Sequence, residues 1–424
     1  MRISYERYDN SIRFYLFCED ADKARSPHLG SQSEFSYSTT DGSTFPESHP
    51  DRVALVALLN SLPLAGERIH FGWPVSETFL EASKIISRIQ ISAEEGQQEP
   101  AAGNPSGIPC LSFSGGADST AALAVMPPET ESVFMLRKKS YRRSLYDSDA
   151  AIESCRLLSE YGKTVHIIES DFEYLRNPIG FPTDLSVATP SILLFDSRNF
   201  SSIALGTILE SAYGTSGSIY REYLDSSHYR LWSRMFSAVG IGYSLPVAGV
   251  SEVASSIICN TLPEGRFHQS CIRGKWESPC QSCWKCFRKN TLMAALNGWE
   301  ISPDVSKMVW KSREVRKHLI ENKPIKHEGV LTYSLERAKG GGEAFEKLRK
   351  LVRVGKINTR WMERWYSHSE SLIPESYRRF TTDLLKSTIG VMDENDVIEL
   401  ENWSNHNDIE RESLLSDFTD LVGR

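Results

Sequence analysis

Two short stretches of the chain carry residue types and spacings that could do chemistry. The first is SGGADST, residues 114–120, which joins a predicted buried strand to a predicted alanine-rich helix. A helix N-terminus offers unpaired N–H groups and a partial positive charge, and these bind anions. Glycine has no Cβ, so the backbone can wrap closely around a phosphate. The stretch therefore predicts a phosphate site.

Asp118 narrows the kind of phosphate site. A carboxylate and a phosphate repel each other unless a cation such as Mg²⁺ lies between them. We therefore expect a pyrophosphate group with Mg²⁺. The predicted phosphate ligands are the hydroxyls and amides of Ser114, Gly115, Gly116, Ser119 and Thr120. Neither the Walker lysine nor the dinucleotide fingerprint G-x-G-x-x-G is present at this corner. The alternative is a tight turn in which Asp118 caps the helix.

The second stretch is a cysteine cluster, SCIRGKWESPCQSCWKCFRK, with the spacing C-x8-C-x2-C-x2-C. Its cysteines are Cys271, Cys280, Cys283 and Cys286. Four thiolates satisfy a tetrahedral Zn²⁺ and leave no open position, so we predict a structural zinc site, with an iron–sulfur cluster as the alternative. We interpret the nearby His268 as a neighbour of this site.

The elements that must position these residues follow a β-α-β-α pattern from Ile108 onward. Short apolar strands that alternate with helices predict a parallel sheet covered on both faces. Right-handed crossovers then bring the residues that follow each strand to one edge, where ligands bind. The predicted strands are 109–113, 132–136, 165–169 and 202–205.

A basic run follows the second predicted strand: Arg137, Lys138, Lys139, Arg142 and Arg143. At the ligand edge these side chains could contact ATP phosphates, AMP or an acidic substrate. They could also hold an RNA backbone, or form a solvated loop. Arg137 and Lys138 lie nearest the strand end and are the preferred candidates. Further candidates for a substrate pocket, or for loop acids, are Glu169, Asp171, Asp184, Ser197, Arg198 and Glu210.

The remaining sequence suggests three parts: a strand-rich α+β domain at 1–100, a nucleotide domain with the zinc site at 108–298, and a helical region at 299–424. Residues 92–107 lack large apolar side chains and are typical of a linker. The net charge of −7 argues against a nucleic-acid coat. No apolar run of about 18 residues or signal peptide is evident, so we expect a cytoplasmic protein.

The motif Ser-Gly-Gly-x-Asp-Ser after a first strand resembles the pyrophosphatase loop, or PP-loop, of the N-type ATP pyrophosphatases. The resemblance implies an adenine-nucleotide α-hydrolase-like, Rossmann-like α/β fold. It also implies that ATP with Mg²⁺ adenylylates a substrate, pyrophosphate leaves, and a nitrogen or sulfur nucleophile displaces AMP. Asp118, Ser119 and Lys138 are then the expected catalytic residues, with Leu136 and Arg137 beside the nucleotide.

The cysteine spacing is similar to the C-terminal zinc site of QueC, the 7-cyano-7-deazaguanine synthase, and the resemblance covers about residues 108 to 295. Ser270-Cys271 and Arg288 match residues around that site, and the Val250–Val253 segment resembles a short helix start of the family. Gly206 matches a strand-ending glycine where base and second substrate meet. The run LRKKSYRRSLY departs from the family pattern, which puts the substrate in question.

The resemblance implies an AMP-forming ligase that joins a carboxylate such as 7-carboxy-7-deazaguanine to nitrogen. The nitrogen comes from ammonia or from an amine on a partner protein. Longer QueC-like chains resemble those of bacterial anti-phage defence operons. The alternatives are an RNA-modifying enzyme similar to tRNA thiolases, and a nucleotide-binding adaptor without turnover. The oligomeric state stays open, with a homodimer as one candidate.

Overall fold

The computed structural model describes residues 1–138, 146–217, 219–321, 325–404 and 409–422. The N-terminal part forms five strands and three helices. They are β1 (Arg2–Tyr8), β2 (Ser11–Phe17), α1 (Asp20–Arg25), β3 (Gln32–Thr39), α2 (Pro50–Ser61), β4 (Arg68–Phe71), α3 (Glu77–Ser83) and β5 (Gln90–Ala93).

The central part alternates strands with helices, as the sequence predicts. Its elements are β6 (Ile108–Phe113), α4 (Ala117–Val125), β7 (Glu131–Arg137), α5 (Asp149–Glu160), β8 (Val165–Ser170), α6 (Thr189–Leu194), β9 (Phe200–Leu205), α7 (Leu209–Ala212), α8 (Ser227–Ala238), β10 (Gly242–Ser244) and α9 (Glu252–Thr261). The four strands expected from the sequence correspond to β6, β7, β8 and β9.

The C-terminal part is mainly helical. It contains α10 (Trp284–Leu296), β11 (Glu300–Ile301), α11 (Pro303–Lys311), α12 (Arg313–Arg316), α13 (Glu328–Arg337), β12 (Lys339–Gly340), α14 (Gly342–Leu351), α15 (Glu375–Ile389), α16 (Glu394–Glu401) and α17 (Ile409–Val422). Among the described residues, the 3₁₀ segments are Phe172–Leu175, Asp184–Ala188, Pro263–Phe267, Arg360–Glu363 and Ser367–Leu372.

Ten strands form one sheet in the order β10-β9-β6-β7-β8-β3-β2-β1-β4-β5. The five central strands are all parallel to their neighbours. The sheet as a whole is mostly parallel, which confirms the predicted mixed α/β class with a helical C-terminal part. Counted along the chain, the central strands have the order 5-4-1-2-3, the doubly wound arrangement, and the order reverses between β6 and β9.

The N-terminal strands continue the same sheet. Strand β3 pairs antiparallel with β8, with Tyr37 opposite Ser170. The Tyr37 hydroxyl donates to Thr189 Oγ1 at 2.7 Å, so the contact reaches the helix layer behind the central strands. The segment 92–107, expected to be a linker, begins inside β5 and is then held against the N-terminal part. Ala101 N–H donates to Asp51 at 3.2 Å, and Arg52 donates to Ala102 O at 2.7 Å.

Helical periodicity in the sequence predicts helices at 77–90 and at 358–366, and the structure differs from both predictions. The helix expected at 77–90 ends at Ser83, and the chain re-enters the sheet as β5, where Ile91 pairs with Ile69 of β4. The helix expected at 358–366 is only the 3₁₀ turn Arg360–Glu363, and Trp365 N–H donates to Gly390 O at 3.1 Å. In both places pairing with a distant segment outweighs local helical periodicity.

Within the part of the chain that the structure describes, no helix has the length and apolar character needed to cross a membrane.

Candidate functional site

A cavity of about 190 Å³ lies at the carboxyl ends of β6 and β9. This is where the strand order reverses, the place at which doubly wound sheets bind ligands. Five residues predicted to contact a nucleotide line it: Ser114, Gly116, Asp118, Ser119 and Gly206. The structure therefore brings the loop after the first central strand and the end of the fourth to one site.

The loop before α4 is shaped by local hydrogen bonds. Gly115 has φ +73°, a left-handed conformation that favours glycine. The Ser114 and Ser119 hydroxyls lie 2.9 Å apart, and Ser119 Oγ donates to Gly116 O at 3.1 Å. Gly116 is the N-cap of α4 and has no side chain to cap it. The first turn of α4 therefore has no side-chain cap from that position, and its residues Asp118 and Ser119 line the cavity.

Gly206 permits the close approach of β9 and α4. A Cβ built on Gly206 would lie 2.7 Å from Ser119 Cα and 2.8 Å from Ser119 N. Real Cβ atoms do not approach backbone atoms so closely. Any side chain here would push the loop away from the strand and change the cavity.

Asp118 and Lys285 introduce opposite charges into the cavity. Asp118 is half-buried, and Ser255 of α9 donates to its Oδ1 at 3.1 Å. Lys285 comes from the first turn of α10 and lines the same cavity. Burial lowers the pKa of Lys285, and the Asp118 carboxylate opposes that shift. The sequence prediction omitted Lys285, although the residue lies between two of the clustered cysteines.

A buried charge cluster lies behind the cavity and is centred on Glu252, the first residue of α9. Its carboxylate is 3.1 Å from Arg288, 3.2 Å from Lys289 and 3.3 Å from His327. Burial would raise the pKa of Glu252, but Arg288 and Lys289 outweigh it and lower the pKa. Burial and Arg288 lower the pKa of His327 to about 3, so the imidazole is neutral. The cluster joins α9, α10 and the start of α13.

Glu210 is buried and caps the start of α9. Both of its carboxylate oxygens accept the backbone N–H of Glu252, at 2.9 and 3.0 Å, at the start of α9. Burial, with a contribution from the Glu252 charge, raises the pKa of Glu210 to about 8. This candidate for the substrate pocket thus does not line the cavity.

The four clustered cysteines form a group that could hold a metal ion such as zinc. Their sulfur atoms all lie within 4.8 Å of one another, and those of Cys280 and Cys286 are 3.8 Å apart. Four sulfurs at about 2.3 Å from one zinc ion are about 3.8 Å apart in a tetrahedron. Backbone amides support the thiolates, because Cys286 N–H donates to Cys283 Sγ and Cys280 N–H to Cys271 Sγ, each at 3.4 Å. His268 is not part of this group and hydrogen-bonds Gly265 O instead.

Two basic residues at the end of β7, Arg137 and Lys138, do not line the cavity. Arg137 is 3.3 Å from the buried carboxylate of Glu173 and lies over the Tyr146 and Phe181 rings. Lys138 is half exposed and 3.9 Å from Asp171. Neither residue, nor Leu136 or Thr120, lines the cavity. Lys139, Arg142 and Arg143 lie outside the described residues.

Of the further candidates for a substrate pocket, Asp184 lies at the cavity, and Asp171, Arg198 and Ser197 make contacts elsewhere. Asp184 lines the cavity and pairs with His228 at 3.0 Å. Asp171 accepts the Ser36 N–H at 2.7 Å and holds β3. Arg198 pairs with Glu131 at 3.3 Å, and Ser197 donates to Leu194 O. The aromatic residues Trp361, Trp365 and Tyr366 are spaced in the sequence like a helical stripe, a pattern that favours core packing over a partner surface. All three are fully buried.

The family model described as "Family of unknown function (DUF6395)" matches residues 231–404. The match covers the cysteine group, Lys285 and the Glu252 cluster, and begins well after the loop at 114–120. No curated protein and no solved structure matches the chain.

Proposed function

We propose that the chain is a QueC-like, AMP-forming ligase that activates a carboxylate with ATP and joins it to nitrogen. The observation that carries the proposal is the cavity between the ends of β6 and β9, bordered by the start of α4 and by Ser114, Asp118 and Ser119. Adenylylation of the carboxylate would release pyrophosphate, and attack by an amine would then release AMP.

The residues of the cavity suit the phosphate end of ATP. The amides of the loop and of the first turn of α4 would hold the departing pyrophosphate, supported by the Ser114 and Ser119 hydroxyls. Mg²⁺ prefers oxygen ligands, so the Asp118 carboxylate would bind that ion and hold it against the phosphates. The cavity is smaller than the roughly 300–1,000 Å³ of whole-ligand sites. The adenosine and the carboxylate would therefore extend beyond it along the strand ends near Gly206.

Catalysis by this site would depend mainly on positioning and on charge. An acyl adenylate is intrinsically reactive, so the chain has to hold the carboxylate in line with the α-phosphate and neutralise the leaving group. The cysteine group would bind zinc as a structural ion, because four thiolates leave no position open for a substrate.

The burial of the remaining cysteines favours nitrogen over sulfur chemistry. All four of them, Cys18, Cys110, Cys155 and Cys259, are buried. Burial raises the pKa of Cys155 and of Cys259 to about 12, so neither supplies a thiolate near neutral pH. A persulfide carrier needs an accessible thiolate, so the thiolase alternative lacks support.

The proposed substrate is a deazaguanine carboxylate of the 7-carboxy-7-deazaguanine kind. The proposed nitrogen donor is ammonia or an amine on a partner protein, in a cytoplasmic anti-phage defence setting. These details rest on the resemblance of the sequence to QueC-like chains.

AMP and pyrophosphate formation tests the proposal. The protein is incubated with ATP, Mg²⁺ and 7-carboxy-7-deazaguanine, and both products are measured with and without the carboxylate. We expect carboxylate-dependent release, and a loss of about 100-fold or more in Asp118→Ala. Asp225→Ala, on an exposed aspartate, is the control. Unchanged AMP formation in Asp118→Ala would contradict the proposal, and binding of ATP without turnover would favour the adaptor.

A further inference from the structure

Lys285 comes from the cysteine loop and yet lies at the proposed phosphate cavity. It is the second residue of α10 and stands between Cys283 and Cys286 in the sequence. It lines the same cavity as Ser114 and Asp118. A single side chain thus connects the candidate metal group with the candidate nucleotide site.

The charges around Lys285 leave it available for an anion. On the same face of α10, Arg288 and Lys289 both pair with Glu252. Among the described residues, Lys285 has neither an ion pair nor a hydrogen bond. The Asp118 carboxylate shares the cavity but forms no ion pair with Lys285. A partly buried ammonium group without a close partner is costly, and a bound anion at the cavity would supply one.

The cysteine loop also touches the phosphate loop directly. Gln269 N–H donates to Gly115 O at 2.9 Å, and Ala117 N–H donates to Ser270 Oγ at 3.4 Å. Ser270 immediately precedes Cys271. The chain that enters the cysteine group is therefore hydrogen-bonded to the turn that begins α4.

We propose that Lys285 is a phosphate-binding residue of the cavity, held in place by metal coordination at Cys283 and Cys286. This inference rests on the proposed function, because it assigns a further ligand to the same phosphates. The two cysteines flank Lys285 in the first turn of α10, and the Cys286 N–H bond to Cys283 Sγ closes that turn. Metal binding would thereby fix the position of the ammonium group.

Nucleotide affinity tests the role of Lys285. The probe is α,β-methylene-ATP with Mg²⁺, titrated calorimetrically into the full chain and its variants. We expect Lys285→Met to raise Kd by about tenfold or more, as loss of a charged hydrogen bond does. Lys285→Arg should retain part of the affinity. Lys275→Met, on an exposed lysine of the same cysteine loop, should bind like the unaltered chain.

Metal content and thermal stability separate a binding role from a structural one. Lys285→Met should keep the zinc content and the Tm of the unaltered chain while its affinity falls. Unchanged affinity in Lys285→Met would overturn the inference and leave the proposed function standing if Asp118→Ala still loses AMP formation. If the unaltered chain fails to bind the analogue, both the inference and the proposed function fail.

The coupling between metal binding and nucleotide binding can be measured separately. Two linked sites must change each other's affinity by the same factor. Zinc affinity is measured by competition with a chelator, with and without saturating α,β-methylene-ATP and Mg²⁺. We expect the analogue to tighten zinc binding several-fold in the unaltered chain and to have no effect in Lys285→Met. Equal zinc affinity with and without the analogue in the unaltered chain would overturn the coupling.

Discussion

At the scale of single residues, the cavity depends on the side chains of Ser114, Asp118, Ser119 and Lys285 and on the absence of a side chain at Gly206. Ser114, Asp118 and Ser119 could be predicted from the sequence, because the strand, the glycine turn and the helix that carry them are contiguous. Lys285 could not, since α10 reaches the cavity through contacts between distant segments, among them the ion pairs of Arg288 and Lys289 with Glu252 of α9. The signal in the sequence that could have indicated Lys285 is the spacing of three basic residues along α10: Lys285, Arg288 and Lys289.

Gly206→Ala tests the close approach of β9 to α4. The added methyl would meet the Ser119 backbone, so the loop must shift, and we expect a destabilisation of about 1–3 kcal/mol together with weaker binding of α,β-methylene-ATP. Gly180→Ala is the matched control, because a Cβ at Gly180 would lie 4.0 Å from the nearest atom of a neighbouring residue. Urea unfolding and calorimetric titration measure the two effects. Equal behaviour of the two variants would contradict the packing described for Gly206.

At the scale of elements, α9 and α10 each contact the cavity or one of its residues, and their first turns are held by buried charges. Ser255 of α9 donates to Asp118, and Lys285 of α10 lines the cavity. Glu210 accepts the first N–H of α9, and Glu252 pairs with two cations of α10. The start of α9 was expected only from the resemblance of Val250–Val253 to a helix start of the family, and α10 was not predicted. The sequence could not indicate which acid would be buried with a proton and which would be ion-paired, because that depends on distant neighbours.

The stability of the protein should depend on pH through Glu210. Its folded pKa is about 8, against 4.5 as its ordinary value, so the folded state binds the extra proton between those pH values. The free energy of unfolding contributed by this group therefore falls as the pH rises through that window. We expect Glu210→Gln to remove this fall, so that its Tm relative to the unaltered chain is higher at pH 8 than at pH 5.

Glu129→Gln, on an exposed acid before β7, serves as the control for that measurement. Tm is recorded from pH 5 to pH 9 for the three proteins. A Glu210→Gln variant that follows the unaltered chain across the whole range would show that Glu210 titrates normally.

At the scale of the whole molecule, the N-terminal strands and the central strands share one sheet. The sequence predicted strands in both parts but placed a linker between them, because the choice of partner along a sheet edge is not a local property. Strand β3 covers the edge of β8, and Asn60 and Thr189 both hydrogen-bond the Tyr37 hydroxyl. The cavity at the ends of β6 and β9 is therefore supported by a sheet that begins near the N-terminus.

Removal of residues 1–100 should expose the β8 edge and the apolar faces around Phe172. An uncovered strand edge favours aggregation, so we expect fragment 101–424 to be insoluble or to elute as aggregates in size-exclusion chromatography. The unaltered chain, expressed in parallel, is the reference. A monodisperse fragment that unfolds cooperatively would show that the N-terminal part is dispensable for folding.

In the proposed function, the amides and hydroxyls at 114–119 hold the phosphates of Mg²⁺-bound ATP. A crystal structure of the full chain with α,β-methylene-ATP and Mg²⁺ tests it most directly. We predict density for the β- and γ-phosphates against the start of α4, with Mg²⁺ on Asp118 and the Lys285 ammonium group on a phosphate oxygen. Phosphates bound elsewhere, with the loop at 114–119 unliganded at saturating analogue, would contradict the account.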